Sequence, residues 1–153
     1  MSDKQVKSKA RVAKHGEVFA NPREVNAMLD LVQDQITRMD ATFLEPACGS
    51  GNFLVEILRR RMAHLNQKYK SSLLQYQPAT VQAVCGLYGI ELLADNAAEC
   101  RERLSATFSQ NYLPRFRLPK IIRACSIPCA VFWKKTSFAP MRWITALQTA
   151  CPS

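Results

Sequence analysis

Residues 43–54 join a short apolar stretch to a helix-forming segment through a turn that contains two glycines. The stretch ends in the acid Glu45, the turn holds Gly49 and Gly51, and Asn52 begins a run with apolar residues at helical spacing. Strand, tight turn and helix in this order are typical of open parallel sheets, where ligands bind beyond the carboxyl ends of the strands. The sequence therefore predicts an α/β fold with a ligand site at this turn.

The flanking segments predict a βαβ crossover. We predict a helix from Pro22 to about Arg38 with Asn21 as N-cap, a strand from Asp40 to Glu45, a helix from Asn52 that ends at Arg59-Arg60-Arg61, a strand from Ala83 to Glu91 and a helix from Ala94 to Ser109. Residues 64–80 carry weak helical signals. We interpret the three arginines as a helix end in solvent, with a DNA contact as the alternative. Strands that alternate with helices at this spacing indicate a parallel sheet.

The chemistry of the turn points away from a dinucleotide. The dinucleotide fingerprint needs a third glycine three positions beyond the second, and Leu54 stands there. A zwitterionic sulfonium cofactor fits better, because Glu45 can face its ammonium group and Glu91, at the end of the next strand, can accept its ribose hydroxyls. The alternative is that both acids only cap the ends of their strands.

The string PACGSGNFL after an apolar strand, with YGIEL some forty residues later, resembles class I methyltransferases that modify adenine in DNA. It is most similar to those of restriction-modification systems, and the preceding HGEVFANPREVNAMLDLV is similar to the segment that this family places beside the cofactor. The resemblance covers about residues 15–108. It implies a Rossmann-like fold with a parallel sheet, S-adenosyl-L-methionine as cofactor and DNA as partner. By position, the cofactor-binding residues that it implies are Glu45, Ala47, Gly49, Gly51, Asn52 and Glu91 on the ribose, with Val18, Phe19 and Pro22 as a lid.

The motif that this family uses for catalysis is absent from the chain. Methylation of an exocyclic amine needs acceptors that hold the amine and an aromatic side chain that stacks on the flipped base. The family supplies both with Asn/Asp-Pro-Pro-Tyr/Phe, but the eight prolines of this sequence include no adjacent pair. We therefore name no catalytic residue and expect the chain alone to be inactive. Our hypothesis is an N-terminal fragment with only the first two strands and their helices, ended by a frameshift or premature stop; the alternative is a non-catalytic cofactor-binding subunit whose partner chain supplies the motif.

Charge divides the sequence into three parts. Residues 1–14 carry a net +4, residues 15–113 a net −2, and residues 114–153 a net +7 without an acid or a glycine. We interpret them as a flexible basic leader, the N-terminal part of the methyltransferase domain, and an atypical basic tail that is out of frame or disordered. Basic ends can attract phosphate backbones. The aromatic and basic residues of 115–117 and 132–135 therefore leave a basic nucleic-acid-binding protein as a further alternative.

The cysteines and the hydropathy pattern favour a cytoplasmic protein. Six cysteines without a CxxC pair, together with only two histidines, give no support to a metal site and indicate free thiols in a reducing compartment. The sequence contains no apolar run of the roughly 18 residues that a membrane span requires. Its polar N-terminus lacks the apolar stretch of a secretory signal. We expect no membrane association.

Overall fold

The computed structural model describes residues 6–112, which form a mostly helical α/β arrangement around a two-stranded sheet. Its elements are α1 (Lys9–His15), α2 (Pro22–Asp30), α3 (Gln33–Thr37), β1 (Phe43–Glu45), α4 (Asn52–Lys68), α5 (Leu73–Cys85), β2 (Leu87–Gly89) and α6 (Ala94–Tyr112). The predicted basic tail, with the aromatic and basic residues of 115–117 and 132–135, lies outside the described residues. Within those residues, no helix has both the length and the apolar composition needed to cross a membrane.

The two strands pair in parallel, as the sequence predicted. Phe43 lies opposite Leu87 and Glu45 opposite Gly89. Both strands are three residues long and thus shorter than predicted. Residues 83–85 belong to the end of α5, because an apolar run at the end of a buried helix resembles a buried strand in sequence.

The predicted capping box at the start of α2 is present, but the long helix predicted here is broken. The side chain of Asn21 accepts from the backbone of Glu24, and the Glu24 carboxylate accepts from the Asn21 N–H. The helix stops at Asp30, because the next two N–H groups turn to carbonyls three residues back, Leu31 to Met28 at 3.3 Å and Val32 to Leu29 at 3.2 Å. Val32, predicted on the buried face, is 39% exposed.

Helix α4 is the centre of the core and is longer than predicted. Its apolar face buries Leu54, Ile57, Leu58, Met62 and Leu65 against the other helices and the sheet. The three arginines lie in its middle, so the prediction that they end the helix in solvent is wrong. Arg61 is completely buried and donates to four backbone carbonyls, those of Ile36 (3.2 Å), Arg38 (3.3 Å), Ala41 (2.5 Å) and Ala83 (2.9 Å).

Part of the segment interpreted as a flexible leader is a helix in the structure. Ser8 caps α1 by accepting from the N–H of Arg11, and Gly16 ends the helix in a left-handed conformation with φ of 64°. Lys7 and Arg11 reach the first turns of α6 with their side chains. The amino-terminal segment is thereby attached to the rest of the described chain.

Candidate functional site

A cavity of about 560 Å³ opens at the carboxyl ends of β1 and β2. The predicted site residues that line it are Val18, Phe19, Glu45, Ala47, Gly49, Asn52 and Glu91. Two predicted residues lie elsewhere: Gly51 is buried beneath the turn, and Pro22 is exposed at the first position of α2. The structure thus gathers residues that are far apart in sequence at the place where open parallel sheets hold their ligands.

The turn requires glycine at both of its predicted positions. Gly49 and Gly51 have φ of 52° and 85°, a backbone region that residues with a Cβ adopt at a cost. A Cβ on Gly49 would lie 2.9 Å from the Phe19 ring, and a Cβ on Gly51 would overlap the sulfur of Cys100. The turn is therefore packed from both sides, by the upstream segment and by α6.

Leu54 stands where the dinucleotide fingerprint has its third glycine. Its side chain fits at this position because a glycine in the sheet leaves room for it. A Cβ on Gly89 of β2 would come within 2.9 Å of Leu54 Cδ1. The close approach of α4 to the sheet thus depends on a glycine in the strand instead of one in the helix. This exchange maintains helix–sheet packing without the dinucleotide fingerprint.

The two predicted carboxylates lie at the carboxyl ends of the neighbouring strands β1 and β2, beside the cavity. Beyond the strand ends, the Ile90 N–H donates to the Glu45 carbonyl at 2.9 Å and the Cys48 N–H donates to the Ile90 carbonyl at 3.0 Å. Glu91 Oε1 accepts from the Leu93 N–H at 2.9 Å, which orients that carboxylate. Burial raises the pKa of Glu45, and a bond from the Ala47 backbone opposes the rise.

A network of charged side chains holds the upstream wall of the cavity. Arg11 makes a two-pronged contact with the buried Glu17, Nε to Oε2 at 2.5 Å and Nη2 to Oε1 at 2.8 Å, and it also binds Asp95 at 2.7 Å. The side chain of Asn96, only 1% exposed, donates to Glu17 and accepts from Lys7. The bond from Arg11 lowers the pKa of Glu17 and, together with weaker contributions, that of Asp95 to about 2. We call these five residues the latch.

Asn52 connects the turn to the upstream segment and to α6. Its Nδ2 donates to the Ala20 carbonyl at 2.9 Å, and its Oδ1 accepts from Arg103 Nη1 at 2.7 Å. The same nitrogen of Arg103 lies 2.8 Å from the Ser50 carbonyl and 3.0 Å from the Ser50 hydroxyl. Both polar atoms of the Asn52 amide are thus hydrogen-bonded within the protein, and these bonds fix the wall of the cavity.

Sequence reasoning missed Arg11, Glu17, Asn96 and Arg103. Glu17 belongs to the upstream segment that resembles the family's cofactor-adjacent segment, so the sequence does indicate its place beside the cavity. Arg11 stands in the segment interpreted as a flexible leader, and Asn96 lies in the first turn of the helix predicted from Ala94, where a polar residue is ordinary. For Arg103 the sequence offers no signal, because an arginine on an amphipathic helix is ordinary.

The chain matches no protein-family model, no curated protein and no solved structure. Within residues 6–112 no group of three or more histidine, cysteine or acidic side chains is placed to hold a metal ion. Three carboxylates line the cavity, and one of them, that of Glu17, is already paired with Arg11. The lining also includes the glycine turn, apolar side chains and two basic residues, Lys14 and His15. This combination suits a small molecule with a positive group and hydroxyls.

Proposed function

We propose that the chain binds S-adenosyl-L-methionine in the cavity, as the cofactor-binding half of a Rossmann-like class I DNA adenine methyltransferase. The observation that carries the proposal is the pair of acids Glu45, at the end of β1, and Glu91, two residues beyond β2, both of which line one cavity. In this arrangement Glu45 pairs with the ammonium group of the cofactor. Glu91 accepts from both ribose hydroxyls.

The shape of the cavity supports this ligand. Its volume lies within the 300–1,000 Å³ that is usual for small-molecule sites. Gly49 of the turn lines the cavity, and the Phe19 ring occupies the space that a Cβ at this position would take. Phe19 against Gly49 supplies an apolar surface beside the turn.

The acids also argue against a nucleotide with several phosphates. Glu45 and Glu91, the cavity carboxylates without a cationic partner, outnumber the cation of Lys14 and repel phosphate groups, whereas a sulfonium cofactor carries positive charge. S-adenosyl-L-methionine should therefore bind much more tightly than ATP, although both contain adenosine.

The assignment to adenine in DNA rests on the resemblance of the glycine turn and of the upstream segment. Because no two prolines are adjacent in this sequence, the Asn-Pro-Pro-Tyr motif must come from residues outside it if methyl transfer is to occur. We expect no transfer of a radiolabelled methyl group to DNA by the purified chain. Transfer by this chain alone would contradict that division of labour but leave the cofactor proposal standing.

Isothermal titration calorimetry with S-adenosyl-L-methionine tests the cofactor site. We expect saturable binding that Glu91→Gln and Glu45→Gln each weaken by about tenfold to a hundredfold, because each removes a charge-assisted contact of about 1.5–3 kcal/mol. The glutamine at position 91 can still accept from the Leu93 N–H through its amide oxygen, so this variant removes charge with little change in local structure.

Glu102→Gln is the matched control, since Glu102 is exposed on α6 and does not line the cavity. It should bind the cofactor as the unchanged chain does. Absence of binding by a chain whose circular dichroism shows it folded would overturn the proposal. Equal affinity of the Glu91→Gln variant and the unchanged chain would also overturn it.

A further inference from the structure

Two cysteines meet beside the glycine turn. Cys48 follows β1 and lines the cavity, and Cys100 lies on α6, 4% exposed. Both are free thiols and both lie against Gly51, whose N–H donates to the Cys48 carbonyl at 2.7 Å and whose missing Cβ leaves the space that the Cys100 sulfur occupies. Cys85, the third cysteine of the described residues, is exposed at the end of α5.

Glycines make the room in which the two sulfurs lie. The sulfur of Cys100 occupies the space that a Cβ on Gly51 would take, and the sulfur of Cys48 lies 3.0 Å from where a Cβ on Gly89 would be. The Cys48 backbone N–H is bonded to the Ile90 carbonyl, which fixes its place after the strand. The thiols are therefore held together by the packing of the turn and not by a chance surface approach.

The charges around the pair make its members unequal. The neighbouring Cys48 thiol lowers the pKa of Cys100; burial opposes this effect, and Arg103 and Arg101 reinforce it. The neighbouring Cys100 side chain, together with burial, raises the pKa of Cys48. Cys100 is therefore the sulfur with more thiolate character, and Cys48 holds the proton.

We propose that a peroxide converts Cys48 and Cys100 into a reversible disulfide that locks the glycine turn onto α6. Cys48 lines the cavity, so hydrogen peroxide that enters the cavity reaches the side of the turn against which Cys100 packs. The Cys100 thiolate attacks a peroxide oxygen, which forms a sulfenic acid and, after protonation of the leaving hydroxide, one water. The sulfur of Cys48 then attacks the sulfenic sulfur, the S–S bond forms, and the Cys48 proton leaves with the hydroxyl group as a second water.

The atoms and the electrons of this reaction balance. Two thiols lose two electrons and two protons, and hydrogen peroxide is reduced to two waters. A dithiol reductant restores both thiols by exchange. The inference does not rest on the proposed cofactor, because it concerns the turn and α6 alone.

Disulfide mapping of the full chain tests the inference. The reduced protein is treated with hydrogen peroxide, its remaining thiols are blocked with N-ethylmaleimide, and it is digested with trypsin and a glutamate-specific protease. Cleavage after Glu91 and Glu99 places Cys85 and Cys100 on different peptides. We expect a Cys48–Cys100 linked peptide with a mass about 2 Da below the sum of its reduced parts, and its loss when dithiothreitol precedes blocking.

Thermal melting gives a second readout. A cross-link between residues 48 and 100 restricts the unfolded chain, so the oxidised protein should melt at a higher temperature than the reduced one. Cys85→Ser is the matched control and should keep both the linked peptide and the shift. Cys48→Ser and Cys100→Ser should each abolish them; if Cys100→Ser does not fold, Cys48→Ser at the half-buried position gives the same comparison.

Recovery of Cys48 and Cys100 as maleimide-blocked thiols after peroxide treatment would overturn the inference. Linkage of Cys48 to the other cysteines as often as to Cys100 would also overturn it, because the pair would then have no preference set by the fold.

Discussion

At the amino end of the two-stranded sheet a buried arginine binds the backbone, whereas at the carboxyl end two acids border a cavity. Both ends of the sheet have charged side chains, but the partners of these side chains differ. At the first end the donors of Arg61 are bonded to the protein's own carbonyls. At the second, Glu45 and Glu91 face a space that a ligand can enter. Charge bonded to the backbone serves the fold, and charge beside a cavity is available for binding.

The amino end of the sheet is closed by contacts between Arg61 and the residues that precede each strand. Arg61 binds the carbonyl of Ala41 before β1 and that of Ala83 before β2, and its guanidinium lies 5.1 Å from the centre of the Phe43 ring. A Cβ on Gly86 would come within 2.8 Å of Arg61 Nη1, so this glycine makes space for the guanidinium. Burial lowers the pKa of Arg61. The cost of burying this cation is offset by hydrogen bonds to carbonyls that would otherwise be unpaired.

The first prediction breaks the amino end and has the largest expected effect. Arg61→Met should lower the free energy of unfolding by about 3 kcal/mol, because several buried carbonyls lose their donor and only part of the loss is recovered by removing a buried charge. Urea denaturation measures the change. Arg59→Met is the control: Arg59 is on the same helix, exposed and paired with Glu56, so its loss should cost less than about 1 kcal/mol. Equal stability of the two variants would contradict the role given to Arg61.

The second prediction breaks the carboxyl end through its backbone. Gly51→Ala should destabilise the chain by about 2–3 kcal/mol, since it combines left-handed strain with overlap against the Cys100 sulfur. Gly16→Ala provides the comparison, because Gly16 has φ of 64° but nothing within 4 Å of an added Cβ. That variant should lose only about 1 kcal/mol.

Denaturation of the double variant Gly51→Ala/Cys100→Ala sharpens the test. Cys100→Ala removes the overlapping sulfur, so Gly51→Ala should cost less in this background than in the unchanged chain. An unchanged cost would show that strain alone, without the contact to α6, makes Gly51 necessary.

The third prediction concerns the latch and has the smallest effect on stability. Arg11 holds the pKa of Glu17 below its usual range and that of Asp95 at about 2, so the folded state binds protons less readily than the unfolded state. The stabilisation is fully present above the unfolded pKa values of about 4 and is lost as the pH falls through the lower folded values. The Glu17→Gln variant lacks the part of this stabilisation that Glu17 contributes. The difference in stability between the variant and the unchanged chain should therefore shrink as the pH falls from about 5 to about 2. Thermal melts across that range measure this, and a constant difference would contradict it.

Parts of this architecture could be predicted from local sequence alone. The glycine turn, the capping box of α2 and the parallel pairing of the strands have strong local signals, and the structure contains all three. The convergence of Phe19, Glu45 and Glu91 on one cavity follows from strand order and from the resemblance of the upstream segment. That these residues bind a cofactor stays a prediction.

What could not be predicted depends on contacts between distant residues. The sequence of Arg59-Arg60-Arg61 fits a helix end, and only the carbonyls before β1 and after α3 show why Arg61 is buried. Arg11 fits a flexible basic segment until its acids on α6 are known. Val32 has the spacing of a buried residue, but the backbone turns at that point. Local patterns do not encode such partners, because the partners are brought together only by the complete fold.

The latch also has a consequence for the order in which the chain acquires its structure. Lys7 binds Asn96 and Glu99, and Arg11 binds Asp95, across more than eighty residues of sequence. Ribosomes synthesise proteins from the amino terminus, so α1 emerges long before its partners exist. The wall of the cavity can therefore close only after the first turns of α6 have been made, although α1 itself is made more than eighty residues earlier.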